Sequence, residues 1–526
     1  MTPSRRPVAR AVAATLVAAA ALLPSGGCMS WFVADPAALR DSWNVQPALE
    51  KSGANRGEIV KFLDHYDGAG DGDAARAAVF LVENMPGRGY VIFGRKDAKG
   101  ADVEFDPLKF KSFAEAQAAL DVVEKEHGTL EDVKARFVPD LETVTADFLI
   151  RHVDRSLATW RALPDAERPP FETFLDFVLP YRGSEEPLED WLTPLQDRLS
   201  ALRAGLPAGA SRADLWKAFQ GDLDRRARFD EIYYLHPTDQ SFSEITRTGM
   251  GRCEDLSNLQ TFYARAFGRA TACDYTPAWG HRDNNHAWTV DLDARGEGRD
   301  RGQSHAAKIY RKTFSLHPGL AALLPPGREA PNRWVASRAM IDVTAQYGNA
   351  ADVRVDADVT ALGDEPVAYL CVFNGGEWVA IAYAKTGATP SILFPDMGRG
   401  LLYLSVVHDG TAPRPIAPPL VLAKDGVVRS LAGRGGAVSV TLTATMPEQT
   451  SADTGATTPV SHLKPGASYT LSRWDGEWKP VESFTASAVV RRADGLAADG
   501  LYWLVEDGSR RLERPFTVEG GRQRFW

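Results

Sequence analysis

Between Ala37 and Gln220 the apolar positions recur at spacings of three and four. Ile59, Phe62 and Leu63 share one helical stripe, and Leu141, Val144, Phe148 and Leu149 share another. Gly68-Ala69-Gly70-Asp71-Gly72 breaks such runs, and the glycine-rich stretch from Gly87 to Asp106 predicts a minor hairpin among the helices. Beyond Asp352 the helical period gives way to alternation. Val367-Ala368-Tyr369-Leu370-Cys371-Val372-Phe373 runs into the turn signal Asn374-Gly375 and returns through Trp378-Val379-Ala380-Ile381-Ala382-Tyr383. The Trp378 phrase is echoed a hundred residues later at Trp474-Asp475-Gly476-Glu477-Trp478, a domain-length interval that predicts a second module of the same kind. Residues 225–350 lie between these regimes, with short strands around one strong helix. The pattern therefore predicts an α+β chain: a mainly helical region over 28–224, a mixed core over 225–350, and tandem β-sandwich-like modules over 351–435 and 436–526. Arg295 to Gly302 reads as an exposed loop, and Glu448 to Pro459 as a polar loop inside the second module.

The 526 residues are 44% hydrophobic and 25% charged, the balance of a globular chain with several cores. A net charge of −9 argues against a nucleic-acid partner. Ala11 to Leu23 is the single long apolar run, too short to span a bilayer comfortably. Arg5, Arg6 and Arg10 precede it, and Pro24-Ser25-Gly26-Gly27 leads from it to Cys28. This is the layout of an export signal over 1–27, and small residues directly before a cysteine resemble the cleavage site of bacterial lipoproteins. The resemblance implies lipidation at Cys28 and an exported protein held on a membrane surface, with ordinary secretory cleavage or a retained anchor as the alternatives. Losing the leader removes three arginines and no acid, so the mature chain is more acidic still. Three scattered cysteines then remain, Cys253, Cys273 and Cys371, which is not a disulfide framework.

One of the three stands apart. Gly249-Met250-Gly251-Arg252-Cys253-Glu254-Asp255 places Cys253 at the start of an amphipathic run, Leu256, Leu259, Phe262, Tyr263, Ala266 and Phe267, with Gly268 as its stop. Unpaired N–H groups and the positive dipole end of a first turn favour a thiolate. Glu254 and Asp255 suit a helix start as capping or ion-pair residues, although their charge opposes that thiolate. Asn284-Asn285-His286-Ala287-Trp288 opens a strand with an imidazole, the base a thiol needs near neutral pH. Met340-Ile341-Asp342-Val343-Thr344 presents a carboxylate that would fix the imidazole tautomer. Cys273 and Cys371 sit in ordinary core strands.

Cysteine at a helix start, then histidine and aspartate on strands, resembles the transglutaminase-like superfamily of papain-type thiol enzymes. Phe177-Val178-Leu179-Pro180-Tyr181-Arg182, followed by Glu186-Pro187-Leu188, looks like a phrase that precedes this core in secreted bacterial members. The resemblance implies a papain-type core over 225–350, Cys253 as nucleophile, His286 as general base and Asp342 as its orienter. Two departures accompany it. Fifty-six positions separate His286 from Asp342, so Gly296 to Ser337 reads as an insertion, a lid or substrate rim; and Val343 stands where the family commonly has proline.

The oxyanion is expected to meet the Cys253 backbone N–H, with Gln240 or Tyr234 as candidate side-chain donors. The chemistry requires no cofactor, and His281 and Asp283 lack metal-ligand spacing. The implied substrate is a peptide or peptide-like amide, with hydrolysis favoured over transamidation. Two rival readings remain: a non-catalytic surface binding or assembly protein retaining the fold, and a carbohydrate-recognition protein using Trp378, Trp474, Trp478 and Trp503.

Overall fold

The computed structural model describes residues 45–68, 70–236, 238–409, 412–450, 457–509 and 513–526. The leader and Cys28 lie outside the described residues. The chain is a mixed α+β protein. Its N-terminal part carries α1 (Arg56–Tyr66), α2 (Gly72–Glu83), α3 (Phe113–His127), α4 (Ala146–Arg161), α5 (Leu192–Gly205) and α6 (Arg212–Asp224). Asp71, inside the glycine-rich break, caps α2 by accepting from the Ala74 N–H. Phe62, Leu81, Leu149 and Val153 from α1, α2 and α4 meet in one core.

A strand does form near Gly87, but not in the hairpin expected over 87–106. Strand β1 (Gly89–Lys96) pairs with β2 (Glu131–Pro139), on the far side of α3. Asp97 explains the difference. Its carboxylate accepts from the Lys99 and Ala101 N–H groups and curls the chain, leaving a single bridge between Lys96 and Asp102.

The middle of the chain is helix α7 (Cys253–Phe267) on a four-stranded antiparallel sheet. The strands are β3 (Thr271–Thr276), β4 (His286–Asp291), β5 (Tyr310–Lys312) and β6 (Met340–Asp342), in the order β4-β3-β5-β6. Leu259, Phe262, Tyr263 and Phe267 of α7 pack on Leu195 of α5 and on Leu215 and Phe219 of α6. Gly268, at φ 86°, ends the helix where the sequence placed its stop.

Strand β5 corrects the reading of Gly296 to Ser337 as a single insertion, because it is an interior strand of this sheet. Its hydrophobic signal is masked by Arg311, which is fully buried and bidentate to Asp274 at 2.8 Å through both nitrogens.

Strand β7 (Ala350–Asp356) then pairs with a later strand, Ser391–Gly398. They face a six-stranded sheet built around β8 (Val367–Asn374), β9 (Glu377–Lys385) and Leu401–His408, with Val353, Phe394, Leu370 and Tyr403 between. The last region, from Ala437–Leu442 to Arg522–Phe525, is a curled seven-stranded sheet around Tyr469, Leu471, Tyr502 and Phe516. Trp378, Trp474, Trp478 and Trp503 meet at the junction of these two β regions. Successive ring centroids are 5.5, 5.0 and 5.3 Å apart, and Phe373 packs among them.

Candidate functional site

Cys253 is the first residue of α7, and the turn that delivers it is over-determined. Gly249, at φ 68°, ends the short helix Phe242–Thr248, and Met250-Gly251 then pairs with Arg228-Phe229. A Cβ on Gly251 would lie 2.8 Å from the Asp255 Cβ and 3.1 Å from Gln240 Nε2, so only glycine fits. The buried Asp255 carboxylate accepts from the Arg252 N–H at 3.0 Å and the Gln240 N–H at 2.9 Å, fixing the helix start. Burial, with help from nearby Asp239, pushes Asp255 up to about 6. Glu254 pairs with Lys312; the ammonium outweighs burial and holds the carboxyl below its ordinary range. Both acids are thus structural, and the Glu254 charge is matched by a neighbouring cation.

Among the described cysteines, Cys253 alone is partly exposed. Burial pushes the Cys273 thiol up to about 12 and raises that of Cys371 as well. Cys253 packs on a cluster containing Cys273, Tyr275, Ala287 and Trp334. Ala287 follows His286, so the thiol sits at the end of the sheet where β4 begins.

His286 opens β4, an edge strand, opposite Thr276. Its ring lies between Trp279 and Trp288, with centroids 6.1 and 5.5 Å away and interplanar angles of 27° and 29°. Strand alternation turns it to the face opposite Ala287. The loop before it is held from both β regions. Asn374 Nδ2 donates to the carbonyls of Trp279, Arg282 and Asn284 at 3.0, 3.1 and 2.9 Å. Arg514, fully buried, pairs with Asp283 at 2.9 Å and donates to the Gly280 carbonyl at 3.0 Å. The Gly375 N–H adds a bond to Asp283 at 2.7 Å.

Asp342 is not brought to His286. It ends β6, at the opposite edge of the sheet, with β3 and β5 between them. Three strand spacings place the two backbones about 14 Å apart, far beyond a hydrogen bond. Asp342 instead pairs with buried Lys308 at 2.5 Å and accepts from the Thr344 N–H and hydroxyl at 3.0 and 2.6 Å. The expected orienting acid is therefore a local brace, because β5 entered the sheet where the sequence suggested an insertion.

Gln240 lies beside the turn that delivers Cys253. Its Nε2 donates to the Met250 carbonyl at 2.8 Å, and its Oε1 accepts from Thr248 at 3.1 Å, so its amide braces the loop. Tyr234 is 40% exposed, with its ring edge-on to Phe229 at 5.8 Å.

A cavity of about 120 Å³ opens near the start of α7, lined by Glu254, Cys273, Tyr275, Lys312 and Trp334. Among the described residues no group of three or more His, Cys, Asp or Glu is placed to hold a metal ion, and no helix is long and apolar enough to cross a membrane.

The residues that sequence reasoning missed are Trp279, Asn374 and Arg514. A fully buried tryptophan in Pro277-Ala278-Trp279-Gly280 carried a weak signal. The other two act across 90 and 231 positions, where no local pattern points to them. Neither a protein-family model nor a curated protein matches the chain.

Proposed function

We propose that the chain is a transglutaminase-like thiol enzyme that opens an amide bond, with Cys253 as nucleophile and His286 as general base. Cys253 Sγ attacks the carbonyl carbon as its proton passes to the imidazole. The developing oxyanion is met by the Cys253 backbone N–H at the helix start. The imidazolium then protonates the leaving amine, an acyl-enzyme remains, and water resolves it; an amine in place of water gives transamidation. Trp279 and Trp288, rather than a carboxylate, hold the imidazole plane. A peptide or peptide-like amide is the substrate class. Lipid on Cys28 would keep the enzyme at a membrane surface, in the cell envelope or outside it.

The observation that carries this reading is the placement of the one partly exposed described thiol. It stands on the first turn of a buried helix, behind a glycine that no other residue can replace, at the end of the sheet where His286 enters. The rival reading, a non-catalytic binding protein with the same fold, draws on one feature: alternation turns His286 toward the two tryptophans.

The rate of Cys253 alkylation by iodoacetamide against pH separates the two. An apparent pKa well below the ~8.5 of a free thiol, lost in His286→Ala, supports the enzyme. A thiol that titrates as free and ignores His286→Ala refutes it.

A further inference from the structure

The segment from Pro180 to Glu185 walls the cavity near the start of α7, and Glu254, Thr261 and Arg265 of α7 line it as well. Arg265 of α7 joins the two. Its Nε donates to the Phe177 carbonyl at 3.2 Å, and its Nη1 to the carbonyls of Pro180, at 2.8 Å, and Arg182. Its Nη2 donates to no described residue. Arg88 lines the same cavity, stacked 4.5 Å above the Phe314 ring. Its Nε donates to the Asn84 carbonyl at 3.3 Å and its Nη2 to those of Thr313 and Phe314 at 3.0 and 2.6 Å, leaving Nη1 likewise without a described partner. The third group is Thr261, 1% exposed, whose hydroxyl has no hydrogen-bond partner among the described residues.

The surrounding carboxylates are committed elsewhere. Asp176 accepts from the Phe314 and Ser315 N–H groups and from the Ser315 hydroxyl. Glu186 accepts from the Gly183 and Ser184 N–H groups, and Asp140 holds Arg182; of the three carboxylates lining the cavity, Glu254 holds Lys312, Asp239 holds Arg252 at 2.5 Å, and exposed Glu185 faces Arg333 at 3.9 Å. The hydrogen bonds of Arg88 and Arg265 therefore all go to backbone carbonyls, while Asp140 and Asp176 act on Arg88, and Asp176 and Glu186 on Arg265, only through space; a guanidinium held inside the protein without a directly bonded counter-ion is costly. Burial draws Arg88 below the ordinary guanidinium range and Arg265 down to about 10.

We infer that this cavity binds a small oxyanion, a carboxylate or a phosphate, between Arg88, Arg265 and Thr261. Two guanidinium nitrogens and one hydroxyl donate to it. At about 120 Å³ the cavity holds roughly four waters' volume, enough for such a group on a short stem. On the amide-cleaving reading above, the oxyanion belongs to the substrate. Glu254, Tyr275 and Trp334 line the cavity and adjoin Cys253, so the preferred amide carries an anionic group close to its scissile carbonyl.

The test is titration calorimetry of the full chain carrying Cys253→Ala, with acetate and with inorganic phosphate at constant ionic strength. Saturable binding of either ion is expected, with the tighter one naming the oxyanion. Thr261→Val should weaken it about fivefold and Arg88→Gln at least tenfold, with near-UV circular dichroism unchanged. No saturable binding of either ion, or binding that both substitutions leave intact, overturns the inference. This readout is independent of thiol chemistry. In the wild-type chain, the ratio of iodoacetate to iodoacetamide alkylation at Cys253 should fall in Arg88→Gln; an unchanged ratio severs the cavity from the thiol. A thiol inert to both reagents counts against the enzyme reading, while the calorimetry still decides the cavity.

Discussion

Asn374→Ala probes how the His286 loop is held. Asn374 offers two N–H bonds to three carbonyls, the buried ones of Trp279 and Arg282 and that of Asn284. Losing two hydrogen bonds removes about 1 kcal/mol each, and carbonyls left unsatisfied add about 1–3 kcal/mol, so the held loop loses roughly 3–5 kcal/mol. Arg514 and the Gly375 N–H still grip Asp283, so the perturbation should loosen the loop without unfolding the sheet. If the loop orients His286, the thiol reverts toward ordinary titration. At pH 6.5 a thiol of pKa ~8.5 is about 1% thiolate, against at least about half for one paired with imidazole. The more basic thiolate is the better nucleophile by about sixfold to tenfold, which leaves a net slowing of roughly five- to eightfold. The assay is single-cysteine alkylation at pH 6.5 and pH 9.5, with mass-spectrometric readout at Cys253. Slowing at pH 6.5 that vanishes at pH 9.5 is the expected result. Adding Arg514→Met should deepen it by less than the sum of the two single effects, since both residues hold one loop. A Cys253 profile unchanged in Asn374→Ala, while hydrogen exchange shows the loop opened, would refute the reasoning.

Asp342→Asn should leave the pH profile of Cys253 alkylation in place yet lower Tm by several degrees. It strips a half-exposed partner from buried Lys308, a loss of about 1–3 kcal/mol. A profile matching that of His286→Ala would instead restore Asp342 as orienter. His152 gives a pH signature in the helical region. Burial, only partly offset by its bond to the Leu179 carbonyl, pushes it down to about 4. Its stabilisation is complete above the unfolded value near 6.5 and is lost as pH falls toward 4, by about 2 kcal/mol between pH 6.5 and 4.5. His152→Gln keeps a donor to Leu179 and should flatten that decline in Tm; an equally steep decline would exclude His152 as the cause.

Local pattern made much of the fold legible. The α7 stripe and its glycine stop are present, and so is the hairpin after Phe373. Its turn is Gly375-Gly376, with both φ positive, one residue beyond the expected Asn374-Gly375. That shift makes Asn374 a strand-end residue, and its amide reaches the Trp279 loop. Other features were hidden because charge interrupted the pattern. Arg311 made an interior strand look like loop, and with β5 unseen, β6 seemed free to lie beside β4. The cavity was illegible for a different reason. Thr261 and Arg265 share α7, but Arg88 lies far away in sequence between α2 and β1, and each looks in sequence like a surface or helix residue.

The Arg514 tether also bears on timing. A chain emerges from its N-terminus, and domains fold as they appear. Helix α7 and its sheet can form long before Arg514 is made, 231 positions after the Asp283 it holds. Until the curled sheet closes, the His286 loop lacks one of its two clamps. On the proposed reading, a growing chain would carry the Cys253 thiol before the His286 loop is fully held, so its neighbours would not meet a primed nucleophile.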